Sequence, residues 1–224
     1  MKSRHLGPGL AALLAISFSL PVFAADESED DSQISVSPDK RFVVRRADSD
    51  DGSYLQVIER KTKRAVARLP KEGGASFIES AGISWSPDAK AFAWNRREGG
   101  RYSVTSLYQW KDGKFAELKD PETAIGYGLI EADRLKQLKE AGLPKDSYQR
   151  RILDTWSIKR WIDATTAELL VNSIRTVPLK ESGDIADLET WVRYTLKLDP
   201  KGGWKVSKTH VLTGKEAEAA SQEN

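Results

Sequence analysis

The sequence predicts a mainly β fold, built from three antiparallel four-stranded meander units with one α-helix inserted among them. Three observations carry this expectation. Two stretches, ISVSPDKRFVVRR at 34–46 and ISWSPDAKAFAWN at 83–95, place the same Ser-Pro-Asp turn between apolar runs at a spacing of 49 residues. Each is followed at a matching distance by two further alternating segments around a polar turn, QVIERKTKRAVARL and SLYQWKDGKFAEL. A third, degraded copy follows, and the excess length between it and the second copy falls on one helical pattern.

In chain order, the first element is an address. Lys2 and Arg4 precede the apolar run LGPGLAALLAISFSLPVF, and Val22-Phe23-Ala24 has the small-residue pattern of a signal peptidase site, with cleavage before Ala25. Pro8 and Pro21 leave the uninterrupted run well below the ~20 residues of a membrane span. Residues 1–24 are therefore expected to be a cleaved signal, delivering the chain to the periplasm or beyond it without membrane insertion. Residues 25–32, which are acidic and poor in apolar side chains, read as a disordered leader. The body spans 33–213, and 214–224 reads as a disordered tail.

Charge and composition exclude several partners. Of 35 Lys and Arg, the two in the signal are lost on cleavage, which leaves 33 against 33 Asp and Glu. A neutral, finely mixed surface gives no electrostatic case for nucleic acid or anionic membrane. Cysteine is absent, so an exported chain of this kind must hold its core without disulfides.

Within the body, the first unit offers strands at Ile34–Ser37, Arg41–Arg46, Tyr54–Glu59 and Ala65–Leu69. The second offers Ile83–Ser86, Ala91–Arg96, Tyr102–Trp110 and Lys114–Leu118. Alternation supports them: Tyr102, Val104, Tyr108 and Trp110 share one face, and Ser103, Thr105 and Gln109 the other. Aligning Lys40 with Lys90, with one residue missing after Asp39, brings Lys63 and Gly113 into matching turns. In the third unit, WIDATTAELLVNS takes the place of the turn and second strand, and WVRYTLKLDPKGGWKVSKTHVL gives the closing hairpin. From Asp88 to Asp163 is 75 residues, 26 more than from Asp39 to Asp88. That surplus is the insertion 120–146, helical from Leu129 to Ala141, with Gly142 as its stop and Pro144 beyond. A second surplus, TVPLKESGDIADLET at 176–190, reads as an inserted loop.

ISWSPDAKAFAW resembles the repeat of TolB-like periplasmic β-propellers, whose units carry W-S-P-D-G-K-x-I-A-F; ISVSPDKRFVV is a looser match. Ala89 replaces the usual glycine, and the first unit lacks that position. The resemblance implies propeller-blade-like units and a structural role for the motif. The residues supply the same reason, since Pro38 and Pro87 preset φ for a turn whose amides the Asp39 and Asp88 carboxylates can accept from. Ile83, Trp85, Phe92 and Trp94 would pack between sheets. Three units fall short of the usual 4 to 8 blades. That leaves three ways to manage an open edge: compact packing, a helix over the gap, or self-association.

Chemistry-bearing constellations are few. With His210 as the one histidine beyond residue 24, and no cysteine, thiol nucleophiles and histidine- or cysteine-rich metal sites are excluded. His210 in SKTHVL reads as an ordinary strand residue. DSDDGS at 48–53 lacks the spacing of a calcium loop and reads as a hairpin loop, so no metal or cofactor is expected and no catalytic residue is assigned. No nucleophile elbow occurs, and no carboxylate pair stands out among the 33 acids. The doublets Arg45-Arg46 and Arg96-Arg97 take matching places in units one and two, a pattern that would put four guanidinium groups along one rim. Tyr127 lies in AIGYGLI, the one apolar glycine-rich loop stretch, and inserted loops on a rigid scaffold are where binding collects. Tyr127, Arg45, Arg46, Arg96 and Arg97 are therefore the candidate binding residues. Pro38, Asp39, Pro87 and Asp88 are the candidate turn residues. The function expected is an exported, non-enzymatic binding module of the bacterial envelope, with an envelope protein or a glycan as partner. The alternatives are a carboxylate-dependent hydrolase acting on an envelope glycan or peptide, and a structural subunit that self-assembles through an exposed sheet edge.

Overall fold

The computed structural model describes residues 33–50, 52–70, 82–179 and 184–222. The expected signal at 1–24 and leader at 25–32 lie outside the described residues, as does the far end of the expected tail.

The first unit is a four-stranded antiparallel sheet, β1 (Gln33–Val36), β2 (Phe42–Ala47), β3 (Tyr54–Glu59) and β4 (Arg64–Arg68), in chain order. The second is β5 (Gly82–Trp85), β6 (Ala91–Gly99), β7 (Tyr102–Lys111) and β8 (Lys114–Glu117). The third is β9 (Arg150–Trp161), β10 (Thr166–Pro178), β11 (Ile185–Leu198) and β12 (Trp204–Leu212). Units two and three are fused into one eight-stranded sheet. The edge of β7 is shared: β8 pairs with Tyr108–Lys111, while β9 runs parallel at the other end, with Tyr102 opposite Asp154 and Ser103 opposite Thr155.

The units stack, and alternation decides what lies between them. Phe42, Val44, Leu55, Val57 and Val66 of the first sheet meet Phe92, Trp94, Tyr108 and Phe115 of the second unit in one core. Ala93 and Leu107, on the opposite face of the second unit, join Trp156, Ile158, Leu169, Val171, Val192 and Tyr194 of the third in another. Each unit also hands a tryptophan to its predecessor. The Trp85 indole N–H donates to Ser35 Oγ at 3.0 Å, and that of Trp161 donates to the Ser84 carbonyl at 3.0 Å.

The Ser-Pro-Asp turns are the same device at both copies. Ser37 Oγ and the Arg41 amide donate to Asp39 Oδ1, and the Phe42 amide donates to Ser37 Oγ. Ser86, Lys90, Asp88 and Ala91 repeat this pattern. Asp163 accepts from the Thr165 amide in the third unit. Both full turns close on a left-handed residue, Lys40 at φ 60° and Ala89 at φ 56°. Lys40 therefore fills the place at which a missing residue is expected from the sequence. The repeat holds its 49-residue spacing without a gap, and Lys63 (φ 56°) matches Asp112 (φ 50°) rather than Gly113. This correction moves Arg45-Arg46 opposite Trp94-Asn95, so the two arginine doublets are not counterparts.

The helices also differ from expectation. The insertion holds a short α1 (Pro121–Ile125) before α2 (Gly128–Glu140), which ends at Gly142 (φ 67°). Asp120, Pro121 and Thr123 start α1, with Asp120 Oδ2 accepting from the Thr123 amide at 2.9 Å. Helix α2 lies on the third unit. Gln137 donates to the Glu189 carbonyl and accepts from the Glu189 amide, while Leu138 packs with Val177 and Leu188. The surplus at 176–190 is not a loop in its described part but a lengthened β10–β11 hairpin, paired out to Pro178 and Ile185. The expected tail forms α3 (Lys215–Gln222) instead. Its Ala220 is buried against Leu170, Trp191 and Leu212, because Ala217 and Ala220, three residues apart on one helix face, are small enough to seat on that face of the sheet. Among the described residues, no helix is long and apolar enough to cross a membrane.

Candidate functional site

A polar cleft of about 460 Å³ opens where the second unit meets the insertion. One wall is the far end of the face that carries Phe92 and Trp94. Alternation sets Arg96 and Glu98 of β6 and Tyr102, Val104 and Ser106 of β7 on that face. The other wall comes from Glu117 at the end of β8, paired opposite Tyr108, and from Asp120, Glu122, Thr123, Gly126 and Tyr127 in and around α1, which lies against β7.

Most of its charged groups are already committed. Arg96 donates to Ser106 Oγ at 2.8 Å and to Glu98 Oε1 at 2.9 Å, with its guanidinium 4.6 Å from the Trp94 ring centroid. Asp120 caps α1. Glu122 accepts from both tyrosines, from the Tyr127 hydroxyl at Oε1 (2.6 Å) and from the Tyr102 hydroxyl at Oε2. Tyr127 is braced edge-on against the buried Trp156, with centroids 5.6 Å apart at 76°. The arrangement holds fixed acceptors and neutral hydroxyl donors. Among the described residues, no three His, Cys, Asp or Glu side chains gather as a metal site would require.

Both tyrosines titrate well above the ordinary phenol range. For each, burial is the larger cause and the hydrogen bond to Glu122 the next. Burial raises Tyr194 as well. In the unfolded chain these phenols lose their protons near ~10, so the unfolded state ionises first as pH climbs. The stabilisation is therefore complete below about pH 10 and is lost progressively above it. Urea titrations at pH 9 and 11 should show a drop in unfolding free energy that the Tyr102→Phe/Tyr127→Phe chain shows to a lesser degree. Equal slopes for both chains would remove the tyrosines as its source.

Of the residues anticipated from the sequence, the cleft brings together Tyr127 and Arg96. Adjacent strand residues point to opposite faces, so each arginine doublet is split. Arg46 shares the face of Phe42 and Val44 and donates to Ser53 Oγ, while Arg45 lies on the other face of β2. Arg97 points away from the cleft and donates to the Gly100 carbonyl. Four guanidinium groups along one rim do not occur. Pro38, Asp39, Pro87 and Asp88 sit in the turns described above, at the ends of strands. The residues missed were Glu98, Tyr102, Ser106, Glu117, Asp120 and Glu122. One signal was available: Asp-Pro-Glu-Thr at 120–123 is a helix start, which places Glu122 in the first turn of α1.

No family model matches this chain, and no curated protein matches it. Among solved structures it is similar to TolB from Acinetobacter baumannii, at 11% identity and a TM-score of 0.31, over 78% of this chain and 46% of that one. It is also similar to a structure from an analysis of two prolyl endopeptidases, at 12% identity and a TM-score of 0.30, over 79% of this chain and 28% of that one. The chain thus spans less than half the length of the solved structures it matches.

Proposed function

We propose that the chain is an exported, non-enzymatic binding module of the bacterial envelope. In this reading its cleft takes a cationic side chain presented by an envelope protein. The observation that supports this most is the charge of the lining, four carboxylates against one guanidinium. Arg96 offsets Glu98, and the remaining negative charge is held in place by α1 and by the Tyr102–Glu122–Tyr127 bonds, so an arriving ammonium or guanidinium meets oriented acceptors. The same bonds weigh against a hydrolase. A carboxylate whose two oxygens both accept from tyrosines is poorly placed to attack or to shuttle a proton, and Asp120 is occupied by its cap.

Titration calorimetry with a short lysine-rich peptide, a glutamate-rich peptide and a neutral oligosaccharide tests the reading. The lysine peptide should bind, weaken as salt is raised, and lose about tenfold in affinity with Glu122→Gln, the scale of a charge-assisted hydrogen bond. Selective binding of the oligosaccharide would shift the ligand to a glycan. Turnover of any of the three probes would sink the non-enzymatic reading.

A further inference from the structure

The last strand of the large sheet carries a second surface, on residues the cleft does not use. β12 pairs with β11 alone among the described residues, so one row of its backbone N–H and C=O groups faces outward. Residues 205–210 are exposed in an unbroken run, unusual for a strand nine residues long. Among the described residues no helix hides the free row, although Glu216 of α3 reaches His210 at 2.9 Å on one face. α3 packs behind the sheet on Leu170, Trp191 and Leu212, and α1 stands to the side.

Register sorts the β12 side chains into two sets. Ser207 is an extra residue, since Val206 pairs with Leu196 and Lys208 with the next residue, Thr195. Trp204, Val206, Thr209 and Val211 therefore share the face of Tyr194 and Leu196. Lys205, Lys208, His210 and Leu212 share the other face. On the first face the strand borders a groove of about 590 Å³, walled across by Ala124 and Ile125 of α1 and floored by Tyr194 and Trp204. The charged residues lining it are Lys119 and Lys205, and no carboxylate lines it. On the second face Lys205 stands directly opposite Lys197, a like-charge cross-strand pair that costs stability where it stands. Among the described residues, no carboxylate pairs with Lys197, Lys205 or Lys208.

We infer that β12 is a docking edge that takes an extended acidic segment of a partner protein as a ninth strand. Main-chain hydrogen bonds to the free edge, chiefly along Lys208–Leu212 beyond the extra residue, supply the attachment. Alternation then dictates the partner's pattern. One set of its side chains enters the groove beside Val206 and Ile125 and is apolar. The other set lies beside Lys205 and Lys208 and is acidic, relieving the Lys197–Lys205 repulsion. The same lysines turn away a second copy of this chain, because β12 laid against β12 brings lysine to lysine. Edge lysines guard sheets against such pairing.

The test uses the full chain and a nine-residue peptide alternating Glu and Val, followed by fluorescence anisotropy and by amide hydrogen exchange. Two control peptides replace Glu by Lys, or place Pro at every other position so that pairing is blocked. The Glu–Val peptide should bind with slowed exchange in Lys208–Leu212, and neither control should slow exchange there, since any binding of the Lys–Val peptide at the cleft leaves β12 untouched. Lys205→Glu/Lys208→Glu, both solvent-exposed, should weaken it by tenfold or more and admit the Lys–Val peptide instead. Glu122→Gln in the cleft should leave this binding unchanged, so failure here and failure of the cleft are told apart. Equal binding by the Pro peptide, unchanged exchange on β12, or indifference to the double charge reversal would overturn the inference. A dimer that Thr209→Pro disperses would overturn it too, in favour of self-pairing.

Discussion

Asp154→Ala is expected to destabilise the chain by about 3–5 kcal/mol, the range for breaking one side of a buried ion pair. That is a large share of the ~5–15 kcal/mol by which a domain is stable. Asp154 is 1% exposed and lies on β9 at the point where that strand meets β7. Arg175 holds it in a fork, Nη1 to Oδ1 at 2.8 Å and Nη2 to Oδ2 at 3.1 Å, and Arg151 adds a looser contact at 3.5 Å. The Asp154 amide donates to the Arg101 carbonyl, so the backbone of this residue ties the third unit to the second while its side chain binds β9 to β10 beside that joint. Alanine leaves the Arg175 guanidinium, itself little exposed, facing the gap without its carboxylate. Urea unfolding followed by tryptophan fluorescence measures the loss. The double replacement Asp154→Leu/Arg175→Met supplies the control. Removing both charges takes away the stranded cation, so the pair should recover most of what Asp154→Ala loses. A single replacement within 1 kcal/mol of the parent would mean that the joint rests on packing alone.

This joint shows where the sequence stops being readable. The strands of the first two units follow from apolar alternation and turn chemistry, which act over a few residues, and their observed bounds lie within three residues of expectation. Helix α2 was equally legible, from its stop at Gly142. By contrast, the parallel contact of Tyr102 with Asp154 joins residues 52 apart, and no local pattern announces it. The cleft was hidden for a related reason. Glu98 and Tyr102 read as ordinary strand residues until α1 brings Glu122 across to them. Tyr127 is legible because it stands in an inserted loop, and Arg96 because of a doublet at the end of its strand, although neither the gapped nor the ungapped alignment makes that doublet a full counterpart of Arg45-Arg46. That gap was itself a conformational matter. A left-handed residue was needed after Asp39, and lysine fills a place that glycine usually takes. The polar composition of the tail predicts disorder; only the apolar face that the sheet presents at Leu170, Trp191 and Leu212 makes the small side chains of α3 worth burying.

Trp156→Ala should cost a similar ~3–5 kcal/mol, by a different mechanism that reaches the cleft as well. Trp156 is fully buried in the core between the second and third units, stacked at 9° on Tyr194 with centroids 6.4 Å apart. Truncation removes the apolar area and leaves a cavity that strands on both sides are too constrained to close. The Tyr127 ring rests edge-on against the same indole, so the cavity also frees the tyrosine that fixes Glu122. The lysine-peptide affinity of the folded fraction should therefore fall along with stability. Tyr127→Phe separates the two effects, since it keeps the ring against Trp156 and removes only the hydroxyl. It should leave stability near neutral pH within about 1 kcal/mol, the usual net worth of one hydrogen bond, while lowering peptide affinity. Trp156→Phe should retain part of the stacking and fall between the parent and the alanine chain in both measurements. If Trp156→Ala unfolds the chain more easily yet binds the peptide as tightly as the parent, the cleft does not depend on the core behind it. Glu122 would then be held by Tyr102 and α1 alone.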